Sequence, residues 1–339
     1  MSLPDWARAH GGPLLAGAIR SQEEDFQVTE ELGYAFSGDG EHDFLWIEKN
    51  GANTEWVGRQ LARHAEVPAK DIGYAGLKDR HAVTRQWFSV PRWNAPDWQA
   101  LDVEGVTVLD VQRHHKKLRR GAHKANAFRI VLRGTSLPGN TAALEQRLQL
   151  IREQGVPNYF GEQRFGRAGS NLELADVFAA GKRLPRHKRS IAISTMRSLV
   201  FNELLDERVC AGTWNQVLAG DTANLDGTNS VFVVDAVDDE LRRRCAALDI
   251  HPAGELIGDG STRGPDAWLA ALAKARVEPG TRSLRLRVGD LAWKISDDAV
   301  ELSFRLGRGA FATVVLRELA TVVDASRKNA HSPAAQPPG

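Results

Sequence analysis

The sequence predicts an α/β chain of the α+β kind, in which a strand-rich sheet domain is interrupted by a helix-rich block. Two changes of hydrophobic period carry this reading. Up to Arg133, and again after Gly280, apolar residues recur mostly at every second position, the repeat of a half-buried strand. Between Gly155 and Ala275 they recur at helical spacing, with Gly-rich and Asp-rich loops between. Length agrees, because 339 residues set against roughly 100 to 200 per domain make two domains or three. The expected segments are 1–154 for the first part of the sheet domain, 155–282 for the inserted block and 283–325 for the return to the sheet. The Ala-, Pro- and polar-rich 326–339 is expected to be a disordered tail. No internal repeat is present.

The elements follow in order. Asp25 to Glu30 alternates like a strand, and Phe44-Leu45-Trp46-Ile47 is a buried run before an Asn50-Gly51 turn. Asn53 caps a helix that carries Val57, Leu61 and Ala65 on one face and stops before Pro68. Strands are expected at Asp71 to Ala75 and Gln86 to Val90, flanking a polar loop from Gly76 to Arg85. Val106 with Val108, then Phe128, Ile130 and Leu132, mark two more strands. Asn140 opens a helix with Leu144, Leu148 and Ile151 on its face, closed by Gly155. Helices follow at Leu172 to Ala180, Ile191 to Val209, Leu241 to Leu248 and Pro265 to Ala275. Alternation returns at Leu284-Leu286-Val288, Leu291-Trp293-Ile295 and Val300-Leu302-Phe304, and these last strands are expected to rejoin the first sheet.

Composition excludes several classes. With 42% hydrophobic and 26% charged residues the chain is neither disordered nor fibrous. No stretch approaches the roughly 20 apolar residues that span a bilayer, and the first residues lack a basic-then-apolar secretory pattern. A soluble cytoplasmic protein without membrane partners is expected. Cys210 and Cys245 are the only cysteines, too few for a disulfide framework or a Cys-based zinc site, and are expected as reduced packing residues. A monomer is expected because no long apolar helix face is left over.

The formal charge of +1 hides a segregated distribution. Gln112 to Arg133 carries Arg113, Lys116, Lys117, Arg119, Arg120, Lys124, Arg129 and Arg133 without one carboxylate. Val177 to Asn202 carries Lys182, Arg183, Arg186, Lys188, Arg189 and Arg197, again unopposed. Such runs suit a polyanion, and solvated faces account for them equally. No Walker A loop, dinucleotide glycine pattern, Gly-x-Ser-x-Gly elbow or His-Glu-x-x-His occurs. His114, His115 and His123 lack a neighbouring carboxylate or Cys and diverge along a strand, so no metal is expected.

The densest polar segment is Gly73 to Gln86, where Asp79 sits between Lys78 and Arg80 on a glycine-opened loop. A carboxylate so placed serves as a nucleophile or base, or simply pairs with a neighbouring Arg in a turn. Gly76-x-Lys78-Asp79-Arg80-His81-Ala82-Val83-Thr84 followed by Gln86 resembles the active-site motif of the D class of tRNA pseudouridine synthases. Asp25-Phe26-x-Val28-x-Glu30, Asn126-Ala127-Phe128, Gly155 to Gly166, Gly169-Ser170-Asn171-Leu172 and Phe311 to Leu319 resemble further blocks of that family in the same order.

The resemblance implies a pseudouridine synthase catalytic domain with a mainly antiparallel sheet, plus an inserted α/β family-specific domain. It implies isomerisation of uridine 13 in the tRNA D arm to pseudouridine, without cofactor or metal, and Asp79 matches the family's essential aspartate. Phe128 matches the residue that stacks on the flipped uracil, although Ile130 and Leu132 on its face also make it a core candidate. Asn126 is then expected to offer its amide to the base edge or to Asp79. Arg20 stands where the family usually has Lys, and an electrostatic role is assigned to it. Phe311 closes the pocket or simply starts the last helix. Lys78, Arg80 and His81 flank the loop and are expected to brace it or touch phosphates, with plain solvent exposure as the competing account. Lys116, Lys117, Arg119, Arg120, Lys124, Lys182, Arg186, Lys188 and Arg189 are the candidates for the tRNA backbone. Two rival readings are an RNA-binding protein or tRNA folding chaperone of the same fold without turnover, and a metal-dependent nuclease built on Asp71 and Asp79. The second lacks a clustered third acid.

Overall fold

All but one of the period-two stretches assemble into one large sheet. The computed structural model describes residues 4–134 and 141–326. The first strands are β1 (Leu15–Ile19), β2 (Phe26–Leu32), β3 (His42–Lys49), β4 (Gly73–Tyr74), β5 (Val83–Pro91), β6 (Val106–His114) and β7 (His123–Arg133), with helix α1 (Thr54–His64) after β3. Then come α2 (Thr141–Gln154), β8 (Val156–Pro157), α3 (Ser170–Ala179), α4 (Arg186–Cys210), β9 (Thr222–Leu225), β10 (Val231–Val233), α5 (Asp239–Ala246), β11 (Ile250–Leu256), α6 (Asp266–Lys274), β12 (Gly280–Ser283) and β13 (Arg285–Leu286). The chain ends with β14 (Gly289–Ile295), β15 (Ala299–Gly307), α7 (Ala312–Arg317) and β16 (Ala320–Asp324).

Among the described residues, one compact unit comprises 14–134, 141–142, 289–309 and 320–326. Its ten-stranded sheet runs β14-β15-β7-β2-β5-β3-β6, with β1 joined to β16 and β7, and β4 joined to β5. Pairing is antiparallel except for β2 with β5 and β1 with β16, so the expected mainly antiparallel sheet is present. Leu45, Ile47, Phe88 and Val90 from β3 and β5 bury against Val57, Leu61 and Ala62 of α1. The Asn53 side chain caps α1 by accepting from the Trp56 N–H at 2.7 Å, as the sequence predicts.

Two boundaries differ from expectation. The strand expected over Asp71 to Ala75 shrinks to Gly73 and Tyr74, because Ala69–Asp71 forms a 3-10 turn. Conversely β5 begins at Val83, where Val83, Thr84 and Arg85 pair in parallel with Gln27, Val28 and Thr29. The inward positions of this stretch are the fully buried polar residues Thr84 and Gln86, so hydrophobic alternation starts too late to reveal it. The polar loop is correspondingly short, 75–82. Asn140 and most of the tail expected from 326 lie outside the described residues.

The second compact unit comprises 4–13, 143–288 and 310–319. The four expected middle helices are present as α3 to α6, joined by a four-stranded antiparallel sheet ordered β10-β9-β11-β12. These strands have no strong sequence signal: β10 is three residues long with Val231 and Val233 exposed. Leu284-Leu286-Val288 does not belong to the large sheet, since Arg285 and Leu286 pair with Pro157 and Val156. Of the two cysteines only Cys245 is buried, while Cys210 is exposed at the end of α4, so packing falls to Cys245 alone.

Candidate active site

The loop 75–82 is pinned from beneath by buried polar side chains. Gly76 accepts at its carbonyl from Gln86 Nε2 at 3.2 Å, and the Lys78 N–H donates to Thr54 Oγ1 at 2.9 Å. Thr54 Oγ1 donates in turn to Gln86 Oε1 at 2.9 Å. Lys49 Nζ donates to the Asp79 carbonyl at 2.9 Å and to the Ala52 carbonyl at 2.8 Å. Lys49, Thr54 and Gln86 are all fully buried. Burial lowers the Lys49 pKa to about 8, with the Asp79 charge opposing the shift and Lys78 adding to it. Lys78 turns inward, with Nζ 2.7 Å from Oε2 of buried Glu30. Burial raises the Glu30 carboxyl, and the Lys78 ammonium opposes that rise.

Above this base the Asp79 side chain is 37% exposed. Its Oδ2 accepts from Arg20 Nη2 at 2.6 Å, and its Oδ1 accepts from the His81 N–H at 3.0 Å. Arg20 also donates from Nη1 to Asp324 Oδ2 at 2.8 Å. Its backbone, at φ +57°, is left-handed, a conformation that costs a side-chain-bearing residue roughly 1–2 kcal/mol. The turn lies where β1 ends, beside Ile19 and its partner Asp324, and the two carboxylate contacts offset its cost.

The aromatic part of the site is reached through Arg20. The guanidinium lies over the Phe26 ring at 4.1 Å, and Phe26 meets Phe128 edge-on at 6.4 Å. Phe128 in turn stacks on Phe304, with centroids 5.4 Å apart and planes 23° from parallel. Strand register explains the column, because Phe128 pairs with Val28 on one side and Phe304 on the other. Phe26 and Phe304 are buried, whereas Phe128 is half-buried. Phe128 thus packs on the core through Phe26 and Phe304 while remaining partly exposed. Asn126 faces Glu30 across the β2–β7 ladder, and its buried Oδ1 has no hydrogen-bond partner among the described residues. Asp79 takes its hydrogen bonds from Arg20 and His81, not from Asn126.

A family model described as tRNA pseudouridine synthase D (TruD) matches residues 9–175 and 171–275. This chain belongs to the tRNA pseudouridine synthase D family. Among its relatives, tRNA pseudouridine synthase D of Methylococcus capsulatus is 47% identical over 337 residues, covering 93% of this chain and 94% of the relative. That of Ectopseudomonas mendocina is 45% identical over 339 residues, covering 94% and 96%. The crystal structure of a Methanosarcina mazei protein assigned to tRNA pseudouridine synthase D superimposes with a TM-score of 0.73 at 19% identity, covering 92% of this chain and 95% of that one. At that identity the likeness speaks for the fold, which is the family's.

Other residues singled out in this tRNA pseudouridine synthase D family member are more scattered. The Lys78 side chain is not solvent-exposed but buried against Glu30, the geometry that loop bracing needs. Arg80 and His81 are exposed, and Arg80 Nε donates to the Gly51 carbonyl at 2.9 Å. Lys116, Lys117, Arg119, Arg120 and Lys124 are exposed on and beside the β6–β7 connection. Two of them are tied down: Lys117 donates to the Lys70 carbonyl at 2.6 Å, and Arg120 donates to Tyr74 Oη while lying 3.8 Å over its ring. Lys182, Arg186, Lys188 and Arg189 are exposed in the other unit, before and within the first turn of α4. Phe311 also belongs to that unit, as the residue preceding α7. Sequence reasoning missed Lys49, Thr54 and Asp324. It quoted Glu30 and Gln86 without assigning them a role. The one available signal was a charged residue at an inward strand position, Glu30 after Phe26 and Val28, and Lys49 after Leu45 and Ile47.

Proposed function

We propose that this protein isomerises uridine 13 in the D arm of tRNA to pseudouridine, with Asp79 as the catalytic carboxylate and no metal, nucleotide or redox cofactor. We place it in the cytosol, acting as a monomer. The observation that carries the reading is the Asp79 carboxylate, held by Arg20 at one oxygen and by the His81 N–H at the other. Family membership supplies the reaction class.

The reaction breaks the C1′–N1 bond, turns the uracil while it stays bound, and joins C1′ to C5; the C5 proton is released and N1 takes up a proton, so the composition is unchanged. One carboxylate near the ribose suffices, as nucleophile at C1′ or as base at C2′. Arg20 balances the Asp79 charge and fixes its orientation. A flipped uridine costs a few kcal/mol to unstack, and a base resting on the outward part of Phe128 recovers about 1 to 3 kcal/mol. Asn126, whose Oδ1 has no hydrogen-bond partner among the described residues, offers its amide to the base edge. The exposed cations of the β6–β7 connection and the start of α4 meet tRNA phosphates.

The test is incubation of the purified protein in EDTA with unmodified tRNA carrying uridine 13, followed by position-resolved pseudouridine detection, with Asp79→Asn in parallel. Pseudouridine at position 13 with the wild type alone is the expected result. tRNA binding by both proteins without product from either would overturn the reading in favour of an RNA-binding protein or chaperone.

A further inference from the structure

Lys49 ends β3 at an inward position, where a strand ordinarily buries an apolar side chain. It is fully buried, and its ammonium donates to the main-chain carbonyls of Ala52 and Asp79. Among the described residues no carboxylate bonds to it. The charged groups that face it are Asp79 and Lys78, and Lys78 is itself paired with Glu30. The flanking strands present the uncharged Thr84 and Val106 at the paired positions. A buried cation without a salt-bridge partner is costly, and a methionine of similar length would fill the space without that cost. Packing therefore does not account for Lys49.

We infer that Lys49 is a positioning residue for turnover, fixing the Asp79 main chain and lending a buried positive charge to the Asp79 carboxylate. The inference rests on the reading of Asp79 given above. The two contributions separate with pH. A neutral amine keeps two N–H groups for the two carbonyls, so deprotonation removes the charge while the hydrogen bonds stay. Burial places that proton loss at about 8, so rate falls as pH rises through this value.

Single-turnover rates and tRNA affinities would be measured from about pH 6 to 10 for the wild type, Lys49→Arg and Lys49→Met, with thermal melts of each. The wild type is expected to show an alkaline limb near 8 in rate but not in affinity. Lys49→Arg lacks that limb because a guanidinium stays charged. Lys49→Met is slower by about 100-fold at pH 7, the size of effect that misplacing a catalytic group produces, with affinity within about threefold. A wild-type rate that is flat between about pH 7 and 9.5, or an identical limb in Lys49→Arg, would sink the inference. So would a Lys49→Met rate within about threefold of wild type. If a variant fails to fold, the wild-type profile still decides. A wild type that makes no pseudouridine at any pH overturns the synthase reading instead. An active wild type with a silent Asp79→Asn and unaffected Lys49 variants overturns this inference alone.

Discussion

Arg20 Nη2 lies 2.6 Å from Asp79 Oδ2, and the same guanidinium reaches Asp324 through its other terminal nitrogen. One side chain thus ties the loop 75–82 to the end of β16, its planar fork directing one N–H to each carboxylate. Arg20→Met removes a charge-assisted hydrogen bond worth about 1.5–3 kcal/mol, so the single-turnover rate is expected to fall by roughly 10- to 100-fold at unchanged tRNA affinity. Arg20→Lys keeps the charge but loses the fork, and is expected to fall by no more than about tenfold. A Met variant as fast as wild type would show that Arg20 only ends β1.

The stack of Phe128 on Phe304 separates catalysis from packing. Phe304 is buried and Phe128 half-buried. Phe304→Ala opens a core cavity and is expected to cost about 3–5 kcal/mol in urea unfolding. Phe128→Leu keeps apolar volume while removing the stacking face. Its rate is expected to drop by about 5- to 100-fold, corresponding to about 1–3 kcal/mol of base stacking, with unfolding changed by under about 1.5 kcal/mol. Equal stability losses without a rate effect in Phe128→Leu would return Phe128 to the core.

The fold was legible where period and burial coincide, as in β2, β3, β7, β15 and α1. It was illegible where polar residues face inward. Thr84 hid the start of β5, and β9 and β10, four and three residues long, are too short to carry a readable period. The candidate site shows the same division. Asp79, Asn126 and Phe128 were found through the family resemblance, because spacing alone left Asp79 a turn residue and Phe128 a core residue. Lys49 was passed over because a lone lysine at a strand end ordinarily snorkels to solvent. Only the tertiary contact with the Asp79 carbonyl reveals its place.

The exposed cations of the β6–β7 connection make a prediction about salt. Lys116, Arg119 and Lys124 are exposed, whereas Lys117 and Arg120 hold protein groups. Replacing Lys116 and Arg119 by Ala is expected to lower the slope of log affinity against log salt by about 1.4 to 1.8, at roughly 0.7 to 0.9 per phosphate contact. Lys117→Ala and Arg120→Ala change it less. Filter binding of tRNA across a salt series measures the slopes, and unchanged slopes in the double variant would move the RNA off this surface.

Lys49 also predicts how stability depends on pH. Its pKa falls from 10.5 to about 8 on folding. Between those values the unfolded chain holds the proton and the folded chain does not, so the slope of stability with pH is positive there. Below about 8 both states are protonated, and the fold carries the full cost of burying the charge. Above 10.5 neither is, and the cost is gone. At 1.36 kcal/mol per pH unit the span is on the order of 3 kcal/mol. Lys49→Met has no such proton to lose. The difference in unfolding free energy between wild type and Lys49→Met is therefore expected to move in favour of wild type by on the order of 3 kcal/mol from pH 7 to 10.5. Other titrating groups shift both curves alike and cancel in that difference. Urea unfolding at several pH values measures it, and parallel curves would mean that the Lys49 ammonium is not desolvated in the fold.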